Sequence, residues 1–334
     1  MSRSLNVAVV GATGLVGRTM LSILEERRFT DGRLVPVASA RSRGLKLPVR
    51  GEPVEVAVLD EFDFAGIDIA LFSPGGTVSG EHAPRAAAAG CVVIDNTSRF
   101  RYDSDVPLVV PEVNPAAISQ FRARNIIANP NCSTIQMVVA LKPIYDRVGI
   151  ERINVATYQA VSGAGQSALS TLAEQARRIV DGSTVEGIPL AYNAVPQIDR
   201  FEDNGYTREE MKMVWETRKI LGDERIRVNA TAVRVPVTFG HSEAVHFETR
   251  ERIEVDEARA LLEAAPGVTV VDGAGRYPTA LTHASGRDDV FVGRLREDIS
   301  HERGLSLWVV ADNVRKGAAL NSVQIAEVLA DSYW

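Results

Sequence analysis

Leu5–Val10 is an unbroken apolar run, and the residues after it pass through a glycine-rich turn into a helical pattern lasting to about Glu26. Further β-branched runs at Leu34–Ser39, Ile67–Phe72, Cys91–Ile94 and Ile126–Ala128 read as strands, with helical material such as Ala83–Ala89 between some of them. Strands apolar on both faces and separated by crossovers predict a parallel, doubly wound α/β sheet. The character changes after about residue 150. Arg152–Val161, Arg225–Val237 and Ser242–Arg250 are longer and partly alternating, with helical patterns at Gln166–Val180 and Val255–Ala265. Alternation of this kind predicts a half-exposed, mostly antiparallel sheet with helices on one face. Lys316–Leu329 is helical again and is expected to return to the first domain.

Composition narrows the function classes. A chain of 334 residues has room for one large or two ordinary domains and for a full core without staples. Its 37 Lys and Arg against 43 Asp and Glu leave a net charge of −6, which argues against a general nucleic-acid binder. No apolar run reaches the roughly 18–20 residues needed to span a bilayer. The opening MSRSLNVAVVGATG runs straight into the glycine turn without a small-residue cleavage site, so no secretory signal is expected. Two cysteines, Cys91 and Cys132, exclude a disulfide framework and suit a reducing compartment. A soluble, cytoplasmic protein is expected, and no metal is called for.

Gly11, Gly14 and Gly17 lie between the first strand and the first helix. Bare glycine backbone lets a pyrophosphate approach the free N–H groups of the helix N-terminus, so a Rossmann-like dinucleotide site is expected there. The second strand ends in Ala38-Ser39-Ala40-Arg41-Ser42 where an NAD site would place a carboxylate. Arg41 with Ser42 suits a 2′-phosphate, and NADP is expected over NAD. Asp31 precedes the strand and reads as a turn residue.

Cys132 follows a strand and the turn Asn129-Pro130-Asn131, and opens a helical pattern over residues 133–148 that Pro143 is expected to kink or end. With Asn131 or Cys132 as the cap, the sulfur sits at the positive end of a helix dipole, where a thiol ionises more readily. Cys91, behind Gly90, reads instead as a small core hydrophobe. Thiolate beside a nicotinamide implies attack on an acyl group or aldehyde, followed by hydride exchange. Of the five histidines, His241 stands at a break between two strands, open to a structural or an acid–base reading, whereas His246 sits mid-strand, packed or at the surface. Arg234 ends the preceding strand and suits a substrate carboxylate. Glu209 and Lys212 share a helix face and by themselves read as a solvated surface. Arg99 and Arg101 follow a strand's C-terminal end, where open α/β sheets bind ligands.

Together these stretches resemble the aspartate-semialdehyde dehydrogenases over nearly the whole chain. The likeness is carried by VGATGLVG (Val10–Gly17), ASARS (Ala38–Ser42), DNTSRFR (Asp95–Arg101), VVPEVN (Val109–Asn114) and NPNCSTIQ (Asn129–Gln136). YQAVSGAG (Tyr158–Gly165), NAVPQID (Asn193–Asp199), RVPVTFGHS (Arg234–Ser242) and KGAA (Lys316–Ala319) continue it. The resemblance implies Cys132 as acyl-thioester nucleophile, His241 as general acid/base and Gln159 as the group orienting the substrate. Arg234 would grip the α-carboxylate and Glu209 the α-ammonium, while Lys212 and Arg101 with Asn131 would bind phosphate. Thr13, Gly14, Leu15, Val16, Arg41, Ser42, Ser162, Gly163 and Asn313 would contact NADP. Pro74, in FSPGG, departs from the more usual Ala.

The implied reaction is the reversible reductive dephosphorylation of 4-phospho-L-aspartate to L-aspartate 4-semialdehyde, which feeds lysine, threonine and methionine synthesis, with a homodimer or tetramer as the implied assembly. The implied architecture is an NADP-binding domain of residues 1–129 with 314–334, into which a catalytic and dimerisation domain of residues 130–313 is inserted. The runner-up is an N-acetyl-γ-glutamyl-phosphate reductase, whose substrate lacks the free ammonium that Glu209 would meet. A non-catalytic NADP-binding sensor is the alternative of a different class.

Overall fold

The computed structural model describes residues 4–333, in two compact units. One runs through Pro130 and resumes at Ala318; the other is Asn131–Gly317.

The first unit holds strands β1 (Val7–Val10), β2 (Leu34–Ala38), β3 (Lys46–Val49), β4 (Glu52–Glu55), β5 (Ala57–Val58), β6 (Ile69–Phe72), β7 (Val92–Asp95) and β8 (Ile126–Ala128). Six of them form one sheet in the order β5-β2-β1-β6-β7-β8, every pair parallel. Counted in chain order, that is 3-2-1-4-5-6, the doubly wound arrangement whose direction reverses between β1 and β6. Every residue of β1 and β6 is buried, as an apolar run covered on both faces must be. β3 and β4 form a separate antiparallel hairpin.

The terminal helix Leu320–Tyr333 belongs to this unit. Its Leu320, Val323, Ala326 and Leu329 join the core around Val7, Met20, Ile23 and Leu71. Asn321 Nδ2 ties it down by donating to the Val109 carbonyl (3.0 Å) and to Asn129 Oδ1 (2.7 Å).

The second unit is built on β9 (Ile150–Gln159), β10 (Arg227–Arg234), β11 (His241–Thr249), β12 (Val268–Val270), β13 (Val290–Glu297) and β14 (Gly304–Ala311). Their order is β10-β9-β11-β14-β13-β12. The three inner pairs are antiparallel, and the two outer pairs, β10 with β9 and β12 with β13, are parallel. The sheet is therefore mixed. β13 and β14 were not among the expected strands. Gly293 and Arg294, at a register shift, break the alternation of β13, and β14 is too continuously apolar for its period to be read.

Helix Cys132–Val148 covers the expected span and passes through Pro143, so of the two outcomes expected there the proline does not end it; the helix stops at Gly149, φ +69°. Burial of Ile135, Met137, Val138, Val139, Leu141 and Ile144 outweighs the roughly 3 kcal/mol that an internal proline costs. Among the described residues no helix is long and apolar enough to cross a membrane.

The first glycine turn depends on close backbone approach. A Cβ at Gly17 would land on the Gly11 carbonyl oxygen, whereas one at Gly76 would meet nothing. Gly17→Ala is expected to lose about 1–3 kcal/mol of stability, read as a lowered urea midpoint, with Gly76→Ala unchanged. Equal midpoints for the two variants would contradict the packing described.

Candidate active site

The first unit gathers the nucleotide-type residues at the reversal point of its sheet. Gly11 follows β1 at φ +83°, and a Cβ there would come within 2.9 Å of the Ser73 carbonyl group, just after β6. Pro74 N lies 3.0 Å from the same point. Gly14 caps helix Leu15–Glu26 without a side-chain hydrogen bond, and no acid occupies the first turn. Thr13, Leu15 and Val16 are half-buried along that turn. Thr13 Oγ1 accepts from Ser42 Oγ (3.4 Å), which joins the glycine turn to the short turn Ala40–Ser42, where Arg41 is exposed. Asp31 is exposed before β2. Bare backbone, an uncapped helix N-terminus and a basic rather than acidic end to β2 fit a dinucleotide with a 2′-phosphate. Arg101 is buried and donates from Nη2 to the Asn96 carbonyl (2.9 Å), while Arg99 is exposed, over the Phe100 ring.

In the second unit the site starts at Asn131. Its Oδ1 accepts from the N–H groups of Ser133 (3.0 Å) and Thr134 (3.3 Å), making it the N-cap of helix Cys132–Val148. Its own N–H donates to Glu216 Oε2 (2.6 Å), and its Nδ2 donates to Glu209 Oε1 (2.9 Å). Cys132 is thus the first helical residue, partly exposed, where a negative charge on sulfur is stabilised. Gly317 lies against it, since a Cβ there would come within 2.7 Å of Cys132 Cβ. That glycine belongs to the π-helical turn Arg315–Ala319, a wide turn of the kind that recurs at functional sites. Cys91 contrasts with Cys132: it is fully buried, and burial, helped by Asp68, pushes its thiol far up.

Gln159 ends β9, buried, and donates from Nε2 to Ser133 Oγ (3.0 Å) and Glu209 Oε1 (3.1 Å). Lys212 Nζ donates to Glu209 Oε2 and to Asp199 Oδ2, both at 2.9 Å. Burial pushes the Glu209 carboxyl up, but the Lys212 charge and the bonds from Lys212, Asn131 and Gln159 outweigh it and hold the pKa at about 2. Burial pulls the Lys212 ammonium down, and Glu209 and Asp199 more than restore it. Glu209 and Lys212 are therefore an inward ion pair; read alone, the sequence pattern had left them on a solvated face.

Ala160 follows Gln159 and clamps two further side chains. Its carbonyl accepts from Arg234 Nη1 (2.7 Å), and its N–H donates to His241 Nδ1 (3.0 Å). Arg234, the last residue of β10, is pulled down by burial while Cys132 and Glu209 favour its charge. His241, the first residue of β11, has no exposed surface; burial, then Arg234, lowers its pKa to about 3 against the pull of Glu209. A Cβ at Gly163 would come within 2.9 Å of Arg234 Nη1 and 3.3 Å of His241 Nε2, so a side chain there would press on both groups. Asn313 Oδ1 accepts from Ser162 Oγ (3.1 Å) and from the Gly240 N–H (2.9 Å), which fixes the chain beside His241. His246 is half-buried with Nδ1 2.8 Å from Ser306 Oγ.

The second unit thus gathers Asn131, Cys132, Gln159, Glu209, Lys212, Arg234 and His241 in one network, with Ser162, Gly163 and Asn313 along its margin. The sequence reading missed Glu216, Ala160 and Gly317. Glu216 stands seven residues after Glu209, two turns along one helix face, a spacing that marks it as a partner. The backbone roles of Ala160 and Gly317 leave no side-chain signal.

Two family models match the chain: semialdehyde dehydrogenase, NAD binding domain, over residues 6–121, and semialdehyde dehydrogenase, dimerisation domain, over residues 141–316. An aspartate-semialdehyde dehydrogenase of Legionella pneumophila is 62% identical, with 98% of this chain and 96% of that protein aligned. A crystal structure of aspartate semialdehyde dehydrogenase II from Vibrio cholerae, complexed with ASA, superposes with a TM-score of 0.98 at 57% identity, covering 100% of both chains. The Candida albicans enzyme, crystallised with NADP, gives 0.76 at 28% identity, covering 98% of this chain and 99% of that one.

The Glu209 shift fixes a pH window. Its folded pKa lies below the ordinary 4.5, so the stability it contributes is whole above about 4.5 and is lost as pH falls towards 2. Wild type is expected to exceed Glu209→Gln by a constant margin of about 3 kcal/mol from pH 8 to 5. Denaturant titrations should show that margin closing between pH 4.5 and 2. A margin that grows in acid would contradict the assignment.

Proposed function

The chain belongs to the aspartate-semialdehyde dehydrogenase family, and from that premise we propose that it converts 4-phospho-L-aspartate reversibly to L-aspartate 4-semialdehyde and phosphate through a thioester on Cys132. The observation that carries this reading is the seat of Cys132: first residue of a helix, capped by Asn131, with Arg234 close enough for Cys132 to favour its charge. NADPH, when bound, supplies the hydride that reduces the thioester.

The protein's own groups divide the remaining work. Cys132 attacks the acyl carbon, and the phosphate leaves towards Lys212 and Arg101 with Asn131. Arg234 holds the α-carboxylate with a planar fork of donors. Glu209, ionised at any physiological pH, meets the α-ammonium. Gln159 orients the substrate, its amide held by Ser133 and Glu209. His241 is the acid–base group at the acyl oxygen. Thr13, Gly14, Leu15 and Val16 with Arg41 and Ser42 hold the nucleotide, and Ser162, Gly163 and Asn313 are assigned to it as well. An acetylated substrate would leave the Glu209 charge without its ammonium, and the relatives named above give that runner-up no support.

The assembly we assign is a homodimer, or a tetramer of it, working in the cytoplasm. The outer face of the second sheet carries exposed Tyr158 beside Trp308, ring centroids 5.5 Å apart, an apolar surface that suits a second copy of the chain.

The deciding experiment follows NADPH absorbance with L-aspartate 4-semialdehyde and NADP, with and without phosphate. Wild type is expected to form NADPH beyond one equivalent of enzyme only when phosphate is present, and Cys132→Ser to form none while remaining folded by circular dichroism. Phosphate-independent turnover, or an active Cys132→Ser, would overturn the reading.

A further inference from the structure

Glu243 lies in β11 with no exposed surface, two residues after His241 and on the same face of the strand. Directly opposite it stand Thr157 of β9 and Val309 of β14, both fully buried. Among the described residues neither strand turns a charge towards it: the inward neighbours are Val155 and Gln159 on β9, and Leu307 and Ala311 on β14. Helix Cys132–Val148 brings Gln136 to the same place, with Nε2 donating to the His241 carbonyl (3.4 Å). The titratable groups on these faces are His241 and, one turn before Gln136, Cys132. Three oxygens here have no hydrogen-bond partner among the described residues: both of Glu243, and Oε1 of Gln136. A carboxylate only accepts, and so does an amide oxygen, so a charged Glu243 would leave all three bare in the interior. One proton resolves this, because the acid O–H becomes a donor for Gln136 Oε1. Burial acts in the same direction and pushes the carboxyl well up, with the Gln136 amide opposing.

We propose that Glu243 is a positioning residue whose un-ionised carboxyl group donates to Gln136 Oε1 and so holds the helix opened by Cys132 against the strand opened by His241. Gln136 then grips β11 at two points, the Glu243 side chain and the His241 carbonyl, from one turn beyond the sulfur. Without that donor its link to β11 shrinks to the one long bond at 3.4 Å. The amide can then rotate, and the first turn of the helix is less firmly placed. A shift of about 1 Å in the sulfur is enough to lower turnover about 10²-fold while the groups that bind substrate stay where they are. The proposal rests on the thioester reading above only where turnover is measured; the state of the carboxyl is read independently of it.

Three measurements on the full-length protein test it. Infrared difference spectra between wild type and Glu243→Gln at about pH 8 are expected to show a protonated-carboxyl C=O band that belongs to wild type. Carboxylate bands in its place, as for a charge satisfied by trapped water, would overturn the proposal. The unfolded chain releases the Glu243 proton above the ordinary 4.5 while the folded chain keeps it, so wild type loses stability relative to Glu243→Gln as pH rises. Their urea midpoints are therefore expected to separate steadily from about pH 5 to 8, and a constant separation would contradict the assignment. Turnover tests the positioning role. Glu243→Gln keeps an N–H donor for Gln136 and is expected to hold kcat within about twofold, whereas Glu243→Met, of similar length but without a donor, loses about tenfold or more in kcat with KM nearly unchanged. Wild-type turnover in Glu243→Met would show that the carboxyl only fills space. Failure of the thioester reading would look different: wild type itself would form no NADPH in response to phosphate, while the infrared band and the midpoint separation remained.

Discussion

Asn131 is the joint on which the second unit's chemistry turns. One amide side chain and one peptide N–H cap the helix that Cys132 opens, anchor to Glu216 and reach Glu209. An N-cap contributes about 1 kcal/mol to an ordinary helix. Here the same bonds also set where the sulfur sits, so their loss would appear as misplacement of Cys132 before it appeared as unfolding. Strand register does the rest. Gln159 pairs with Arg234 across the parallel β9–β10 ladder, so both side chains emerge at one level, and Ser242 opposite Tyr158 brings His241 to the same edge. A slip of one residue would turn these groups to the wrong face.

Burial alone would neutralise every ionisable group in this network; partners decide which ones resist. Glu209 stays charged because a lysine and two amides donate to it. His241 is held towards its neutral form by burial and by the neighbouring Arg234, and its Nδ1 accepts from the Ala160 N–H. Two groups gathered around the adjoining Gln159 and Ala160 are thus driven towards opposite states.

Much of this was legible beforehand, for reasons that can be named. Buried parallel strands are continuous apolar runs, so β1, β2, β6, β7 and β8 stood out, as did the glycine turn after β1. The cap at Asn131 follows from residue type and position. β13 hid behind its irregularity at Gly293 and Arg294, and β14 behind a run with no period. The internal Pro143 was overruled by packing that no local pattern reports. Glu209 and Lys212 illustrate the deeper limit, since three-residue spacing shows that two charges share a face but says nothing of whether that face meets water. Ala160 acts through its peptide group, which every residue has.

The central claim is that this scaffold makes Cys132, and not Cys91, the reactive sulfur. Iodoacetamide labelling of the folded protein at about pH 7, followed by peptide mapping, tests it most directly. Rapid modification of Cys132 with Cys91 untouched until the chain unfolds is the predicted result. Slow modification of both at matching rates would contradict the account.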